Sequence, residues 1–322
     1  MKWQNKIKVT VMIMGLSKKS TSIITLILLG NFVMAQNIKS KHISLLKAGI
    51  EMHYLEAGDN QNQTFLLVHG LGSNSKAFNK TIPEISKHGK TYAIDLPGFG
   101  ETKALNSTPS LEKFGEILQE FVKTKKLKNI VLVGHSMGGQ IISKLALTKH
   151  PKWLKRLVLL SPAGIETFTE KDRNWFKAVI TEGLYLNLSD AQIKQNFDVN
   201  FYGAKVPKDA LFMYEDRLSI KADKEKYKEY CETVVDCIFA MLNEPIYDQL
   251  STIKAPINIL FSKNDLLVPN KILHPDLTMQ SLVDQLKENH PNINVTLIGE
   301  SGHFVQWDQT EITNNIILNK TN

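Results

Sequence analysis

The 322-residue sequence predicts an α/β fold in which a mostly parallel sheet is flanked by helices. Three observations favour this class. Short apolar runs are rich in Val, Ile and Leu, most of them are separated by stretches of helical periodicity, and one long helical stretch interrupts the series before its last two runs. Such alternation implies right-handed βαβ units with helices on both faces of the sheet. No long internal repeat is present, so a solenoid or propeller is not expected.

Eight strands are predicted in all. An antiparallel hairpin over residues 43–57 supplies the first two, and six apolar runs follow at residues 65–68, 92–94, 130–133, 157–160, 257–261 and 295–298. The stretch 111–126 has its apolar residues on one helical face, and Ser110 is its predicted N-cap.

Between about residues 164 and 247 the strand pattern stops. Helices are predicted at 174–187, 207–219 and 224–242, and the sheet resumes at Ile257. Because the sheet is completed afterwards, we interpret residues 164–247 as a helical cap over the active-site edge rather than a separate domain. Residues 36–163 and 248–322 then form the two parts of the core.

Residues 1–35 are predicted to be a signal peptide. Lys18 and Lys19 precede an apolar run at 23–32, and Val33 and Ala35 suit positions −3 and −1 of a cleavage site. The run has about ten residues, whereas a membrane-spanning helix needs about 20. We therefore expect an exported protein, periplasmic or secreted, without a stable membrane span in the mature chain. The alternative is an uncleaved N-terminal anchor.

The distribution of charge limits the classes of partner that the protein can bind. The net charge is +7, but five lysines and no acidic residue lie in residues 1–35, which leaves +2 on the remainder. Without a dense basic stripe there, a nucleic-acid partner is not expected.

The two cysteines are not expected to form a disulfide. Cys231 and Cys237 fall on one predicted helix with their Cα atoms about 9 Å apart, beyond the limit of about 7 Å for a disulfide. The sequence makes no prediction of oligomeric state.

The most informative motif is Gly134-His135-Ser136-Met137-Gly138, which lies between a predicted strand and a helix-compatible run at 140–147. This strand–turn–helix context is what a Gly-x-Ser-x-Gly nucleophile requires, and it favours that interpretation over an ordinary glycine-rich turn. The turn leaves no room for side chains two residues either side of Ser136. It also places the serine at a helix N-terminus, where negative charge is favoured.

With this motif, residues 43–318 resemble the α/β-hydrolase fold superfamily, and within it the cap-bearing esterases and lipases of the monoacylglycerol-lipase type. His69-Gly70-Leu71-Gly72 resembles the oxyanion loop of that group. The resemblance implies that the backbone N–H groups of Leu71 and Met137 hold the oxyanion. The run 95–100, Asp-Leu-Pro-Gly-Phe-Gly, resembles the D-x-P-G-x-G turn of the family, which makes Asp95 structural rather than catalytic.

A serine hydroxyl needs a base, and the base needs an acid to orient it. The family order of serine, acid and histidine points to Asp265, after the run 257–261, and to His303, after the run 295–298. The alternative is that Asp265 only forms a turn and caps a helix. Glu300 is expected on the loop surface, His69 as a loop organiser and His135 as a packing residue. The remaining histidines are expected at the surface or in loops: His42, His53, His88, His150, His274 and His290.

We therefore predict a serine hydrolase that cleaves small-molecule carboxylic esters through an acyl-enzyme on Ser136. No metal or cofactor is expected, since neither zinc-ligand spacing nor a nucleotide loop is present. One alternative is a C–C bond hydrolase of the meta-cleavage-product type. Residues 302–307 resemble the histidine region of that group, and Arg217 falls on a predicted helix where the group carries a substrate arginine. The sequence departs from the group in two places: Phe304 replaces the usual Trp, and the oxyanion loop lacks a Pro-Gly continuation.

A second alternative is a non-catalytic ligand-binding homologue. The segment 272–291 is longer than the family connection and receives no functional interpretation from the sequence.

Overall fold

The computed structural model describes residues 38–320, and in this range eight strands form one mixed sheet. The strands are β1 Lys39–Leu45, β2 Ile50–Ala57, β3 Thr64–Val68, β4 Lys90–Ile94, β5 Ile130–His135, β6 Leu154–Leu160, β7 Ile257–Ser262 and β8 Asn294–Ile298. Their spatial order is β1-β2-β4-β3-β5-β6-β7-β8. β2 pairs antiparallel with β1 and with β4, and all other pairings are parallel. The predicted fold class is confirmed. The predicted signal peptide or anchor at 1–35 lies outside the described residues.

Eleven α-helices accompany the sheet in the described range. They are α1 Ile82–Ile85, α2 Leu111–Thr124, α3 Met137–Lys149, α4 Glu170–Val179, α5 Glu182–Leu186, α6 Asp190–Asp198, α7 Leu211–Lys221, α8 Lys224–Asn243, α9 Met279–Asn289, α10 Val305–Asp308 and α11 Thr310–Leu318. Short 3₁₀ helices lie at Ser75–Phe78, Tyr202–Ala204, Lys208–Ala210 and Tyr247–Thr252. None of the helices in residues 38–320 is long and apolar enough to cross a membrane.

Apolar side chains are buried on both faces of the sheet. One cluster joins β-strand residues such as Leu66 and Leu132 to Phe114 and Phe121 of α2. The other joins alternate strand residues, including Leu67, to side chains of α1 and α11. A parallel sheet covered on both faces explains why its strands are continuous apolar runs rather than alternating ones.

The helical segment between β6 and β7 differs in detail from the prediction. The single helix predicted at 174–187 is wrong: α4 ends where Ile180 is extended, and the Thr181 hydroxyl caps α5 by accepting from the Leu184 amide at 3.1 Å. α6 was not predicted, although Ser189 and Gln192 form a capping box at its start. The helix predicted at 207–219 begins as a 3₁₀ turn before α7, whereas α8 matches its prediction.

Other local predictions are confirmed. The Ser110 hydroxyl caps α2 by accepting from the Lys113 amide at 3.1 Å. Cys231 and Cys237 lie on α8 as free, buried thiols, and burial raises the pKa of both. The segment 272–291 contains a turn followed by α9, which packs beside β8.

Asp95 is buried directly after β4 and holds three segments together. Its Oδ1 accepts from the Ser75 amide at 2.7 Å, and its Oδ2 accepts from the Glu101 amide at 2.9 Å and from His53 Nδ1 at 2.7 Å. His53 is 2% exposed and lies within β2, so the prediction of a surface or loop position is wrong for it, whereas His290 is buried but lies in the loop after α9. A lone histidine has no periodic signal that would reveal its burial.

Burial and pairing act in opposite directions on the Asp95–His53 pair. Burial raises the pKa of Asp95, but the hydrogen bonds from His53, the Glu101 amide and Ser75 outweigh it and lower the pKa. Burial lowers the pKa of His53, but the hydrogen bond and charge of Asp95 outweigh it and raise the pKa. The stabilisation from Asp95 is therefore present above its unfolded pKa and is lost as the pH falls through its folded pKa.

Replacing Asp95 by asparagine should be costly because a donor NH2 group takes the place of one of the two oxygens that accept from two amides and a histidine. We expect Asp95→Asn to lower the free energy of unfolding by about 3 kcal/mol at neutral pH in urea denaturation. The difference should shrink as the pH falls through the pKa of Asp95. Asp276→Asn, at an exposed position, is the control and should change the value by less than about 0.5 kcal/mol. Equal effects of the two variants would contradict this account of the turn.

Candidate active site

Ser136 occupies the turn between β5 and α3 in a strained backbone conformation, with φ 51° and ψ −120°. Neighbouring backbone explains the strain. A Cβ at Gly134 would lie 2.5 Å from the Gly138 carbonyl oxygen, and a Cβ at Gly138 would clash with the carbonyl oxygen of Val68 on β3. Both glycines are therefore required by close backbone approach, as the motif predicted. The strained turn leaves Ser136 at the N-terminus of the 13-residue helix α3.

The loop after β3 passes directly beside this serine. A Cβ built on Gly70 would lie 3.0 Å from Ser136 Cβ. His69 organises the loop: its Nε2 accepts from the Leu96 amide at 2.9 Å, so its Nδ1 carries the proton and donates to the Gly70 carbonyl at 2.7 Å. Complete burial lowers the pKa of His69 and keeps the ring in this neutral form.

Two backbone amides near Ser136 are available to a ligand. In the described part of the chain, neither the Leu71 N–H nor the Met137 N–H donates a hydrogen bond. Leu71 lines the same cavity as Ser136, and Met137 directly follows the serine as the first residue of α3. Unsatisfied amides at a helix N-terminus and an adjacent loop can accept negative charge on a bound oxygen.

Asp265 and His303 lie on the loops after β7 and β8 and are hydrogen-bonded to each other. His303 Nδ1 is 2.7 Å from Asp265 Oδ2, while Asp265 Oδ1 accepts from the amides of Leu267 at 2.8 Å and Val268 at 3.1 Å. Both side chains are almost fully buried. Because the carboxylate can only accept, Nδ1 is the donor, and Nε2 is left free to accept a proton.

His135 contributes more than packing. Its Nε2 donates to the His303 backbone carbonyl at 3.0 Å, and its ring centroid lies 4.9 Å from that of His303. Burial first, and then the charge of His303, lower the pKa of His135 well below its ordinary value, so the donor form is neutral. The sequence identified His135 only as a neighbour of the serine, because its partner is 168 residues away.

A cavity of about 700 Å³ joins these groups, and Leu71, Ser136 and His303 line it. The helical segment supplies much of its wall, including Phe176, Ile180, Val234, Ile238 and Leu242. The structure thus brings together the residues that the motifs indicated. The Ser136 hydroxyl forms no hydrogen bond with residues 38–320.

Sequence reasoning missed a polar cluster at one side of this cavity. Glu166 is buried and accepts from the Asn270 amide at 2.9 and 3.0 Å and from His274 Nδ1 at 2.5 Å. His274 lies in a loop, as expected, but is half-buried there, and its Nε2 is 3.6 Å from Asp172 Oδ2 on α4. The segment 272–291 therefore contacts the start of the helical segment. No local pattern announces these contacts.

Arg217 on α7 and Tyr230 on α8 also line the cavity, and Glu300 is exposed as expected. Among residues 38–320, no group of three or more His, Cys, Asp or Glu side chains is arranged to hold a metal ion.

Comparison with known proteins agrees with this architecture. Residues 63–310 match the family model described as alpha/beta hydrolase fold. The chain belongs to this family. A 2-hydroxy-6-oxononadienedioate/2-hydroxy-6-oxononatrienedioate hydrolase of Paraburkholderia phymatum is 26% identical over 291 residues, which cover 87% of this α/β hydrolase and 94% of the relative.

Two solved structures of hydrolases share the fold. An esterase from Exiguobacterium antarcticum superposes with a TM-score of 0.70 at 19% identity, covering 87% of this chain and 98% of its own. A 2-hydroxy-6-oxo-6-phenylhexa-2,4-dienoate hydrolase from Rhodococcus sp. strain RHA1 gives a TM-score of 0.69 at 16% identity, with coverage of 88% and 98%. At these identities the likeness concerns the fold alone.

The backbone crowding at the serine turn can be tested by adding one methyl group. We expect Gly138→Ala to lower the free energy of unfolding by about 2 kcal/mol or more, because the obstacle is backbone of β3 that cannot move aside. The matched control is Gly299→Ala, where nothing lies within 4 Å of the added Cβ. Urea unfolding should show a change below about 0.5 kcal/mol for that control. Equal free energies of unfolding for the two variants would contradict the backbone crowding at this turn.

Proposed function

We propose that this α/β hydrolase cleaves carboxylic esters through an acyl-enzyme on Ser136. One observation carries the proposal: a strained serine at a helix N-terminus shares a cavity with a histidine whose Nδ1 is 2.7 Å from a buried aspartate. The Leu71 and Met137 amides, which have no hydrogen-bond partner among residues 38–320, supply what an oxyanion needs. A nucleophile, a base, an orienting acid and oxyanion donors are the groups that acyl transfer requires.

The chemistry follows from the free atoms. His303 Nε2 takes the proton of Ser136 Oγ as the serine attacks the ester carbonyl. The oxyanion binds to the amides of Leu71 and Met137, and each donor should contribute about 3 kcal/mol to the transition state. His303 then protonates the leaving alcohol. A water molecule, deprotonated by the same histidine, attacks the acyl-enzyme and releases the acid. Asp265 keeps Nδ1 protonated and stabilises the imidazolium.

The surroundings support a substrate with an apolar acyl or alcohol group. The cavity of about 700 Å³ lies within the ordinary range of small-molecule sites, roughly 300–1,000 Å³. Phe176 of α4 and Val234, Ile238 and Leu242 of α8 give its wall a large apolar part beside Arg173, and no step of the mechanism calls for a metal or cofactor. This supports the esterase-like branch suggested by the sequence. Export directed by residues 1–35 is also part of the proposal and is supported by the sequence pattern alone.

A second candidate is hydrolysis of a C–C bond in a vinylogous diketone acid. The relative from Paraburkholderia phymatum, which aligns over nearly its whole length, bears a name of that class. Arg217 also places a positive charge at the cavity, where a substrate carboxylate could be attracted. Because both reactions need the same serine and histidine, substrate preference decides between them.

A substrate panel with a serine variant tests the proposal. We expect the wild type to hydrolyse p-nitrophenyl esters, and Ser136→Ala to lower kcat/KM by a factor on the order of 10⁶. Ser143→Ala, about two turns further into α3, removes a buried hydroxyl outside the cavity and should retain activity. The panel includes monoacylglycerols and a vinylogous diketone acid.

Higher kcat/KM for the diketone acid than for every ester would favour the second candidate. Ester turnover unchanged in Ser136→Ala, or absent from the wild type across all acyl chains, would overturn the proposed ester hydrolysis.

A further inference from the structure

Arg217 connects the helical segment to the loop that carries the Leu71 amide. Its Nη2 donates to the Gly72 carbonyl at 2.7 Å, across 145 residues of sequence. Gly72 directly follows Leu71 and has a φ of +66°. This φ favours glycine, and a Cβ there would also meet the side-chain ends of two residues of the helical segment, Tyr230 Oη at 2.7 Å and Arg217 Nη2 at 3.0 Å.

The guanidinium group of Arg217 is held in place by aromatic rings rather than by an acidic partner. Its carbon lies 4.1 Å from the centroid of the Tyr230 ring and 5.5 Å from that of Phe197. No carboxylate of residues 38–320 lies within ion-pair distance of it. The planar group is therefore oriented by stacking, and its one hydrogen bond in the described range goes to the loop backbone.

Two peptide units carry this contact to the Leu71 amide. The peptide between Gly72 and Ser73 accepts from Arg217 through its carbonyl, and through its N–H it donates to the Gly70 carbonyl at 3.3 Å. The Gly70 carbonyl belongs to the same rigid peptide plane as the Leu71 N–H. The second plane is thus held by two donors, His69 Nδ1 at 2.7 Å and the Ser73 amide that Arg217 orients, and hydrogen bonds in series polarise one another.

Surface ion pairs also join the helical segment to the residues that follow the Leu71 loop. Asp216, beside Arg217, pairs with Lys76 at 3.0 Å, and Asp209 pairs with Lys80 at 2.8 Å. Each partner is at least one-third exposed, and such pairs contribute little to stability. The charge-assisted bond from Arg217 to a backbone carbonyl is the stronger contact, and it is the one that reaches the loop carrying Leu71.

We propose that Arg217 is a positioning residue that couples the helical segment to the oxyanion hole by orienting and polarising the Leu71 N–H through Gly72, Ser73 and Gly70. The inference rests on the proposed acyl transfer at Ser136. It makes the position of α7 part of the catalytic geometry, since a helical segment shifted away from the core would release the loop.

The test compares Arg217→Met and Arg217→Lys with the wild type on two matched substrates. One is an uncharged p-nitrophenyl butyrate, and the other is the mono-p-nitrophenyl ester of glutaric acid, which has a free carboxylate. We expect Arg217→Met to lower kcat about tenfold on both esters with KM changed less than twofold. This is a fraction of the 10²–10³-fold loss seen when an oxyanion donor is removed outright. Arg217→Lys should lie between, because one donor replaces a planar fork.

The affinity of an inhibitor that forms a tetrahedral adduct with Ser136 is a second measurement, and a purely structural role of Arg217 would leave it unchanged. The inhibition constant of an alkyl trifluoromethyl ketone should rise in Arg217→Met by the same factor as kcat/KM falls, because both depend on the oxyanion donors. The matched control is Lys221→Met on the same helix. Lys221 also donates to a backbone carbonyl, that of Leu188 at 2.7 Å, but not to the oxyanion loop. Lys221→Met should have a kcat/KM within twofold of the wild-type value.

Several outcomes would overturn the inference. Loss confined to the glutarate ester would make Arg217 a substrate-binding residue. A rise in KM alone, an unchanged ketone affinity, or equal losses in Lys221→Met would each remove the positioning role. If Arg217→Met fails to fold, the same comparisons with Arg217→Lys decide. Wild-type activity in the Arg217 variants alongside an inactive Ser136→Ala would refute only this inference, whereas an active Ser136→Ala would refute the proposed function.

Discussion

Where β5 turns into α3, three stretches of backbone meet without space for a side chain. Gly138 lies against the carbonyl oxygens of Val68 and His69, and Gly134 lies against Gly138. Because the obstacles are main-chain atoms, the turn has little freedom to relax, and Ser136 takes its positive φ as a consequence. The same contact brings the loop that follows β3 beside the serine. One packing constraint therefore places both the candidate nucleophile and one of the two candidate oxyanion amides.

The rest of the site is assembled at the carboxyl edge of the parallel strands. β7 and β8 end in the loops that hold Asp265 and His303, and His135 ties the His303 backbone to β5. The helical segment then closes the cavity and contacts loops on both sides of it. Arg217 reaches Gly72 on one side, and the Asn200 carbonyl accepts from the Phe304 amide at 3.1 Å on the other. The segment is thus bonded to the loops that it covers.

The parts that sequence reasoning predicted are those encoded locally. Apolar runs located six strands and a predicted hairpin the other two. The strand–turn–helix context of the glycine motif, followed by the order of acid and histidine, selected Ser136, Asp265 and His303. The break after Val179 was missed because the Thr181 cap interrupts a helical pattern that otherwise continues. The burial of His53, the Glu166–His274 pair and the Arg217–Gly72 contact depend on tertiary partners 42 to 145 residues away, for which one sequence has no periodic signal.

The central claim is that an acyl group resides on Ser136 during turnover. Its most direct test is rapid acid quenching of the enzyme with excess p-nitrophenyl ester, followed by intact-protein mass spectrometry and peptide mapping. The account predicts a burst of p-nitrophenol no larger than one equivalent and a mass increase of one acyl group on the peptide that contains Ser136. An acyl group on another residue, or hydrolysis with no covalent adduct in wild type and in an Asp265→Asn variant that slows deacylation, would contradict it.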